Sequence, residues 1–301
     1  MSPSGARGAP PPGEAGLPRP NGNRSGRSAR GTRLAVFGGV YSNHLALAAA
    51  IEDARDRGAD ALFCLGDLGA FGPHPDRVFP LLIDAGVRVI RGNYDDSIAR
   101  GLEDCQCGYT DPRDNHFARL SYRYTYERTS ARWRRWLGTL PDALRLEAGG
   151  RRVLLCHGSP RQTNEFLWES TTSTQFLAWL ADRHEADVIL ATHTGLHWRR
   201  SLPPAPGSTA GGERLFANVG VLGRPANDGT PRVWYALLDL PETVDAPPVV
   251  EFVPVRYEQE RLAAEMRAEG LPEEFVDTIL TGWWTTCLEV LPARERSRGR
   301  F

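Results

Sequence analysis

The stretch Ala59-Asp-Ala-Leu-Phe-Cys-Leu-Gly-Asp67 places a short apolar run directly before a glycine and an aspartate. An apolar run of this length, bounded by turn residues, is typical of a buried strand. Similar runs end in glycine or polar residues at positions 33–39 and 87–93. Helical periodicity over residues 43–54 and 77–86 separates the three runs. Because strands and helices alternate, the sequence predicts parallel βαβ units.

The rest of the chain predicts more strands, one break and a helical end. Apolar runs predict strands near residues 151–156, 186–191, 214–219 and 233–240. Residues 101–130, rich in Gly, Asp, Cys, Tyr and Pro, predict a long irregular insertion. Residues 1–31 consist largely of Pro, Gly, Ser and Arg and predict a disordered segment. We therefore expect a main domain over 32–257 and a helical C-terminal extension over 258–301, with one helix from Glu273 to Leu280.

Charge and hydropathy give no reason to expect nucleic acid or a membrane as a partner. The formal net charge of -1 gives no reason to expect nucleic acid as a partner, because nonspecific binding needs clustered positive charge. The sequence has no apolar run of the length that spans a membrane. The five cysteines are scattered through a chain of ordinary domain size and predict reduced thiols. We therefore expect a cytoplasmic protein.

Polar residues follow several of the predicted strands, at the end where open α/β sheets place their ligand sites. They are Gly66-Asp67, Gly92-Asn93-Tyr94-Asp95, His157-Gly158-Ser159 and Thr192-His193-Thr194. Carboxylate, amide and imidazole groups are the donors that divalent transition metals bind in proteins. The sequence therefore predicts a metal site at this edge of the fold.

The order of these motifs resembles that of the calcineurin-like metallophosphoesterases. Over about residues 33–240 the sequence reads GD, GN-x-D, HGSP, H-T and finally N-x-G-x-x-G-x-P at Asn218–Pro225. The resemblance implies a four-layer α/β/β/α sandwich of two mixed sheets. It also implies a site built for two metal ions that share one aspartate, with a catalytic histidine that falls on Tyr94 in this chain.

Only one half of that two-metal site is present in the sequence. The ligands that the resemblance implies for one ion are Asp67, Asn93, His157 and His193. Of the ligands for the other ion, the three that are not shared fall on Gly39, Tyr41 and Gly195. We therefore expect a single divalent transition metal ion, Mn, Fe or Zn.

The resemblance implies a phosphoester hydrolase that acts on a phosphomonoester or phosphodiester through a mononuclear site. In this hypothesis Tyr94, oriented by Asp95, assists the leaving group. We expect Tyr41, Asn43 and Arg224 to contact the substrate, a small phosphorylated molecule or nucleotide. Two alternatives stay open. One is a regulatory protein that binds a nucleotide, phosphate or metal without hydrolysis, and the other is a mononuclear redox enzyme, since two histidines and a carboxylate also hold iron in oxygenases.

Some residues outside the motifs allow two interpretations each. Cys105 and Cys107 can bring soft ligands or a redox switch to the site, and His44 can replace a lost ligand, although such histidines are more often satisfied elsewhere. The pair Trp283-Trp284 in the C-terminal extension can dock on the main domain or on a second copy of the chain.

Overall fold

The computed structural model describes residues 31–205 and 212–297, so the predicted disordered segment lies outside the described residues except for Gly31. Within these described residues, ten strands form two five-stranded sheets. The strands are β1 Thr32–Phe37, β2 Ala61–Cys64, β3 Arg88–Val89, β4 Ala143–Ala148, β5 Arg151–Cys156, β6 Val188–Ala191, β7 His197–Leu202, β8 Arg214–Val219, β9 Val233–Leu240 and β10 Val249–Val255.

Both sheets are mixed. The first has the order β10-β9-β1-β2-β3, in which β1, β2 and β3 are parallel and β9 pairs antiparallel with both β1 and β10. The second has the order β4-β5-β6-β8-β7, with β5, β6 and β8 parallel and an antiparallel strand at each edge. The parallel strands carry the βαβ pattern that the sequence predicts, and their carboxyl ends are where the polar motifs begin.

Helices cover the outer face of each sheet. They are α1 His44–Asp56, α2 Val78–Asp84, α3 Asn93–Arg100, α4 Pro112–Arg128, α5 Ala131–Leu137, α6 Thr174–Arg183, α7 Gln259–Ala268, α8 Glu273–Thr281 and α9 Ala293–Arg296, and a 3-10 turn spans Pro75–Arg77. Helices α1 and α2 pack on the first sheet, and α6 packs on the second. The result is the predicted four-layer α/β/β/α sandwich.

The alternation of side chains along the strands builds the layers. In β1, Leu34 and Val36 point into the core between the two sheets, whereas Ala35 and Phe37 point into the core beneath the helices. All four side chains are fully buried. Because successive residues of a strand face opposite sides, a central strand covered on both faces is apolar at every position.

Residues 112–128 correct the prediction of an irregular insertion, since they form helix α4. Asp111 accepts hydrogen bonds from the backbone of Arg113 and Asp114, and Pro112 occupies the first turn. An aspartate cap followed by proline is a strong helix start. The irregular part of the insertion is therefore the shorter loop over residues 101–111.

The helical C-terminal part is present and packs on this same helix. Helices α7 and α8 bury Met266, Phe275 and Ile279 against Phe117 of α4. Gly270, with φ of 72°, follows α7 in the left-handed conformation that ends many helices. Beyond α8 the chain returns to the main domain, and this return brings residues 282–291 to the edge of the predicted metal site.

Candidate metal centre

Three of the four predicted metal ligands meet at the carboxyl edge of the two sheets. Asp67 follows β2, His157 follows β5 and His193 follows β6. Each offers one ligand atom, and these atoms lie within 4.8 Å of one another. His157 Nε2 is 3.2 Å from Asp67 Oδ2 and 3.2 Å from His193 Nδ1. Ligand bonds of about 2.0–2.2 Å place neighbouring donor atoms roughly 3 Å apart, so the spacing fits one shared ion.

Hydrogen bonding fixes the orientation of His157. Its Nδ1 lies 2.6 Å from the carbonyl oxygen of Leu65. Because a carbonyl oxygen can only accept a hydrogen bond, Nδ1 carries the proton and donates it. The lone pair of the neutral ring is therefore on Nε2, the atom that faces Asp67 and His193. A backbone carbonyl that orients a histidine in this way is typical of metal ligands.

Burial and mutual charge set the protonation of the cluster. Burial and the neighbouring His157 lower the pKa of His193 to about 3, so its imidazole is neutral at physiological pH. Burial works against the carboxylate of Asp67, but His157 outweighs it and the pKa of Asp67 falls below its usual range. Burial alone would lower the pKa of His157, but Asp67 outweighs burial and raises it, so a metal ion would displace a proton from this ring. Asp67 thus presents an ionised carboxylate and His193 a neutral imidazole, the forms that bind metals.

Asn93, the fourth predicted ligand, is the first residue of α3. Its Nδ2 donates a 2.8 Å hydrogen bond to the carbonyl oxygen of Cys105, which turns its Oδ1 the other way. Asn93 Oδ1 is buried without a hydrogen-bond partner. Buried acceptors of this kind are rare and call for an explanation. A divalent ion supplies one, so the residues fit the metal that the sequence predicts.

Asp95 does not orient the phenol of Tyr94, contrary to the prediction. Its carboxylate accepts hydrogen bonds of 2.7, 3.0 and 2.9 Å from the backbone N–H groups of Asp67, Leu68 and Gly92. Asp67 needs this support because its φ of 54° is left-handed. Asp95 therefore holds the two loops that carry Asp67 and Asn93, which is a structural role.

Tyr94 lies beside the ligand cluster and lines a cavity of about 40 Å³ that Asp67 and His193 also border. Its hydroxyl is 3.0 Å from Ser121 Oγ of helix α4. Burial raises the pKa of Tyr94 above its ordinary value. Phe166 borders the same cavity with its ring centroid 4.3 Å from that of His193, a contact that no motif in the sequence indicates.

Aromatic rings fill the space beside two of the three lost ligand positions. A Cβ placed on Gly39 would lie 2.7 Å from Cε1 of Tyr41. A Cβ placed on Gly195 would lie 2.6 Å from Cη2 of Trp284. Neither glycine can carry a metal-binding side chain while these rings are in place. Tyr41 also borders the cavity, so the predicted substrate contact of its phenol stays a prediction.

Trp284 comes from the C-terminal extension and docks on the main domain of the same chain. Its indole N–H donates to the carbonyl oxygen of Pro225 at 2.6 Å, and its backbone N–H donates to Asn227 Oδ1 at 2.9 Å. The side chain is only 4% exposed. Of the two interpretations of the tryptophan pair, docking on the main domain therefore holds for Trp284.

Arg224 and Asn43 do not contact the cavity as the prediction required. The guanidinium of Arg224 lies 4.1 Å from the ring centroid of Trp284 and 4.9 Å from that of Phe71, and donates to the carbonyl oxygen of Thr286. Asn43 is fully buried, where its Oδ1 caps helix α1 and its Nδ2 donates to a backbone carbonyl. Both side chains are committed to holding the fold.

The extra ligand candidates are corrected as well. Cys105 and Cys107 are joined in a disulfide, so these two are not the reduced thiols that the cysteine count predicts. Gln106 between them takes a left-handed φ of 56°, which brings the two Cα atoms to 5.3 Å. His44 lies 3.5 Å from a carboxylate oxygen of Glu265 in α7 and is not part of the ligand cluster.

Comparison with known proteins decides the family. The family model of the calcineurin-like phosphoesterase superfamily domain matches residues 33–243. The chain belongs to this superfamily. The match covers every strand from β1 to β9 and all four candidate ligands. Together with the Asp67, His157 and His193 cluster, it indicates a metal-dependent phosphoesterase.

Known proteins from several organisms are similar to this chain over most of its length. A metallophosphoesterase from Sphaerobacter thermophilus is 26% identical, with 84% of this chain and 99% of that chain covered and a TM-score of 0.61. A hypothetical protein from Pyrococcus horikoshii is 23% identical, with coverage of 83% and 98% and a TM-score of 0.66. An uncharacterized protein of Methanocaldococcus jannaschii is 22% identical over 257 residues, which are 83% of this chain and 98% of that protein. The similarity thus extends beyond the family domain into the C-terminal part.

No helix within residues 31–205 and 212–297 is both long enough and apolar enough to cross a membrane.

Proposed function

We propose that this phosphoesterase hydrolyses a phosphate ester with one divalent transition metal ion, held by the four candidate ligands. The observation that carries the proposal is the contrast between the two halves of the site. One half gathers Asp67, His157 and His193, and beside them the buried Asn93 Oδ1 lacks a hydrogen-bond donor. The other half is packed with the rings of Tyr41 and Trp284. When bound, the ion supplies Lewis acidity toward the phosphoryl group.

The chain's own residues supply the proton for the leaving group. Tyr94 lines the cavity, and burial raises the pKa of its phenol above the ordinary value, so the phenol carries a proton that it can donate at neutral pH. As the ester P–O bond breaks, the phenol proton passes to the leaving oxygen. Water forms the new P–O bond, and the proton that it loses restores the phenol. Ser121 positions the Tyr94 hydroxyl at 3.0 Å throughout.

The test of the proposal combines metal content with turnover. Metal-free protein is titrated with Mn, Fe or Zn while hydrolysis of p-nitrophenyl phosphate is followed. We expect turnover that rises with bound metal, and the loss of both in His157→Ala. The matched control is His184→Ala, a histidine at the end of helix α6, remote from the cluster, which keeps both. Metal binding without turnover would contradict hydrolysis.

The role of Tyr94 has a separate test. Phenolate is a much stronger base than p-nitrophenolate, so its departure depends far more on protonation of the leaving oxygen. General acid catalysis contributes about 10²–10⁴-fold, so Tyr94→Phe should slow phenyl phosphate hydrolysis about 100-fold and p-nitrophenyl phosphate hydrolysis much less. Equal losses for both esters would assign Tyr94 to packing.

The packed half of the site also favours a second candidate, a protein that binds phosphate, a nucleotide or a metal without hydrolysing an ester. Its cleft would keep one ion as a recognition element, because the clamp of two metals on attacking and leaving oxygens is missing. Tight binding of inorganic phosphate to the metal-loaded protein, with no ester turned over, supports this candidate. The redox enzyme is the remaining alternative, and it requires iron at the two histidines and the carboxylate. The identity of the metal in the purified protein therefore tests it.

A further inference from the structure

The cavity at the metal ligands is small. Its volume is about 40 Å³, and its walls include Tyr41, Tyr94, Tyr109 and Phe166. Since one water molecule needs roughly 10–15 Å³ on this measure, the cavity has room for about three or four waters. A single phosphoryl group fits such a space, whereas a phosphate with bulky ester groups on two sides does not.

A larger groove adjoins the cavity. This groove has a volume of about 370 Å³ and shares four lining residues with the cavity. The shared residues are Cys105, Cys107, Tyr109 and Ala118. They lie at the boundary of the two spaces, so a molecule that reaches Asp67 and His193 from the groove would pass the Cys105–Cys107 disulfide.

One cation faces this route. Among the described residues that line the cavity or the groove, Arg119 of helix α4 is the only arginine, and the sequence contains no lysine. Arg119 is exposed. The one acidic side chain of the groove, Asp104, already accepts two hydrogen bonds from Gln106. The guanidinium of Arg119 can therefore pair with an anionic group of a molecule bound in the groove.

We propose that the substrate is a phosphomonoester whose leaving group carries its own negative charge. The phosphoryl group enters the small cavity, and the leaving group stays in the groove, where Arg119 pairs with its carboxylate or second phosphate. This inference rests on the proposed function for the hydrolytic step but concerns binding. An ion pair at an exposed arginine contributes up to about 1 kcal/mol, which corresponds to roughly a five-fold preference.

Two phosphonates that resist hydrolysis test the binding directly. Benzylphosphonate and 4-carboxybenzylphosphonate differ only by the carboxylate, and calorimetry on the metal-loaded protein gives both dissociation constants. We expect the carboxylate to tighten binding about three- to five-fold at low salt, and the preference to vanish in Arg119→Ala and in high salt. The matched control is Arg123→Ala, one turn further along the same helix, where the arginine is 79% exposed and pairs with Glu127.

Equal dissociation constants in the wild-type protein, or a preference that survives in Arg119→Ala, would overturn the assignment of Arg119. Turnover completes the test with phenyl phosphate, 4-carboxyphenyl phosphate and the diester diphenyl phosphate. Hydrolysis of the diester as fast as the monoester would overturn the monoester proposal. Absence of all turnover with the phosphonate preference intact would refute the proposed hydrolysis and leave the assignment of the groove standing.

Discussion

Substitution of Gly195 by alanine tests whether Trp284 has taken the space of a lost metal ligand. Gly195 has a φ of 83°, and its missing Cβ would lie 2.6 Å from the indole of Trp284. The left-handed conformation costs an L-residue about 1–2 kcal/mol. Forcing a methyl group against a packed ring costs about 1–3 kcal/mol more. Gly195→Ala should therefore lower the free energy of unfolding by about 2–5 kcal/mol.

Urea unfolding measures this loss, provided that the slope of the free energy against urea is unchanged. Gly86→Ala is the matched control, since Gly86 has a φ of 70° and nothing within 4 Å of its missing Cβ. It should show only the conformational cost of about 1–2 kcal/mol. Trp284→Phe removes the outer ring of the indole, so in that background the cost of Gly195→Ala should fall to that of the control.

Two results would refute the reasoning. If Gly195→Ala costs no more than Gly86→Ala, the ring of Trp284 is not held against position 195. If the cost is the same with Trp284 and with phenylalanine at position 284, the two residues are not coupled, and the space beside Gly195 is open to a second ion.

Three further predictions follow from single contacts. Asp95→Ala leaves three backbone N–H groups without their acceptor, so it should lower the free energy of unfolding in urea by about 3 kcal/mol or more, and a change below about 1 kcal/mol would contradict the loop-holding role. Asp114 accepts the backbone N–H groups of Cys287 and Glu289, so Asp114→Ala should destabilise by about 1.5–3 kcal/mol and open residues 282–291 to proteolysis, and an unchanged cleavage pattern would count against it. Denatured protein should show three thiols to a thiol reagent before reduction and five after it, whereas five before reduction would refute the Cys105–Cys107 disulfide.

The central strands of the fold can be predicted from the sequence because they are buried on both faces. Most of β1, β5 and β6 consists of the apolar runs Leu34–Phe37, Val153–Cys156 and Val188–Ala191. The sequence does not predict β4, β7 and β10, which are edge strands in which buried and exposed residues mix. Their charged side chains interrupt the apolar signal, and their position in the sheet depends on a neighbour that is distant in sequence.

The candidate site divides in the same way. Asp67, His157 and His193 can be predicted because the parallel strands of each sheet bring their carboxyl ends to one edge, where the edges of the two sheets meet. The surroundings cannot be predicted, because they depend on segments far apart along the chain. Trp284 reaches Gly195 from 89 residues away, and it draws Arg224 away from the cavity into a stack with its own indole.

The measurement that tests the account most directly is the metal content of the purified protein, by elemental analysis, after equilibration with Mn, Fe or Zn and removal of loosely bound ions. The account predicts one ion per chain in the wild-type protein and almost none in His157→Ala, with His184→Ala like the wild type. Two ions per chain would contradict it, because the space beside Gly39 and Gly195 would then hold a metal in place of the rings of Tyr41 and Trp284.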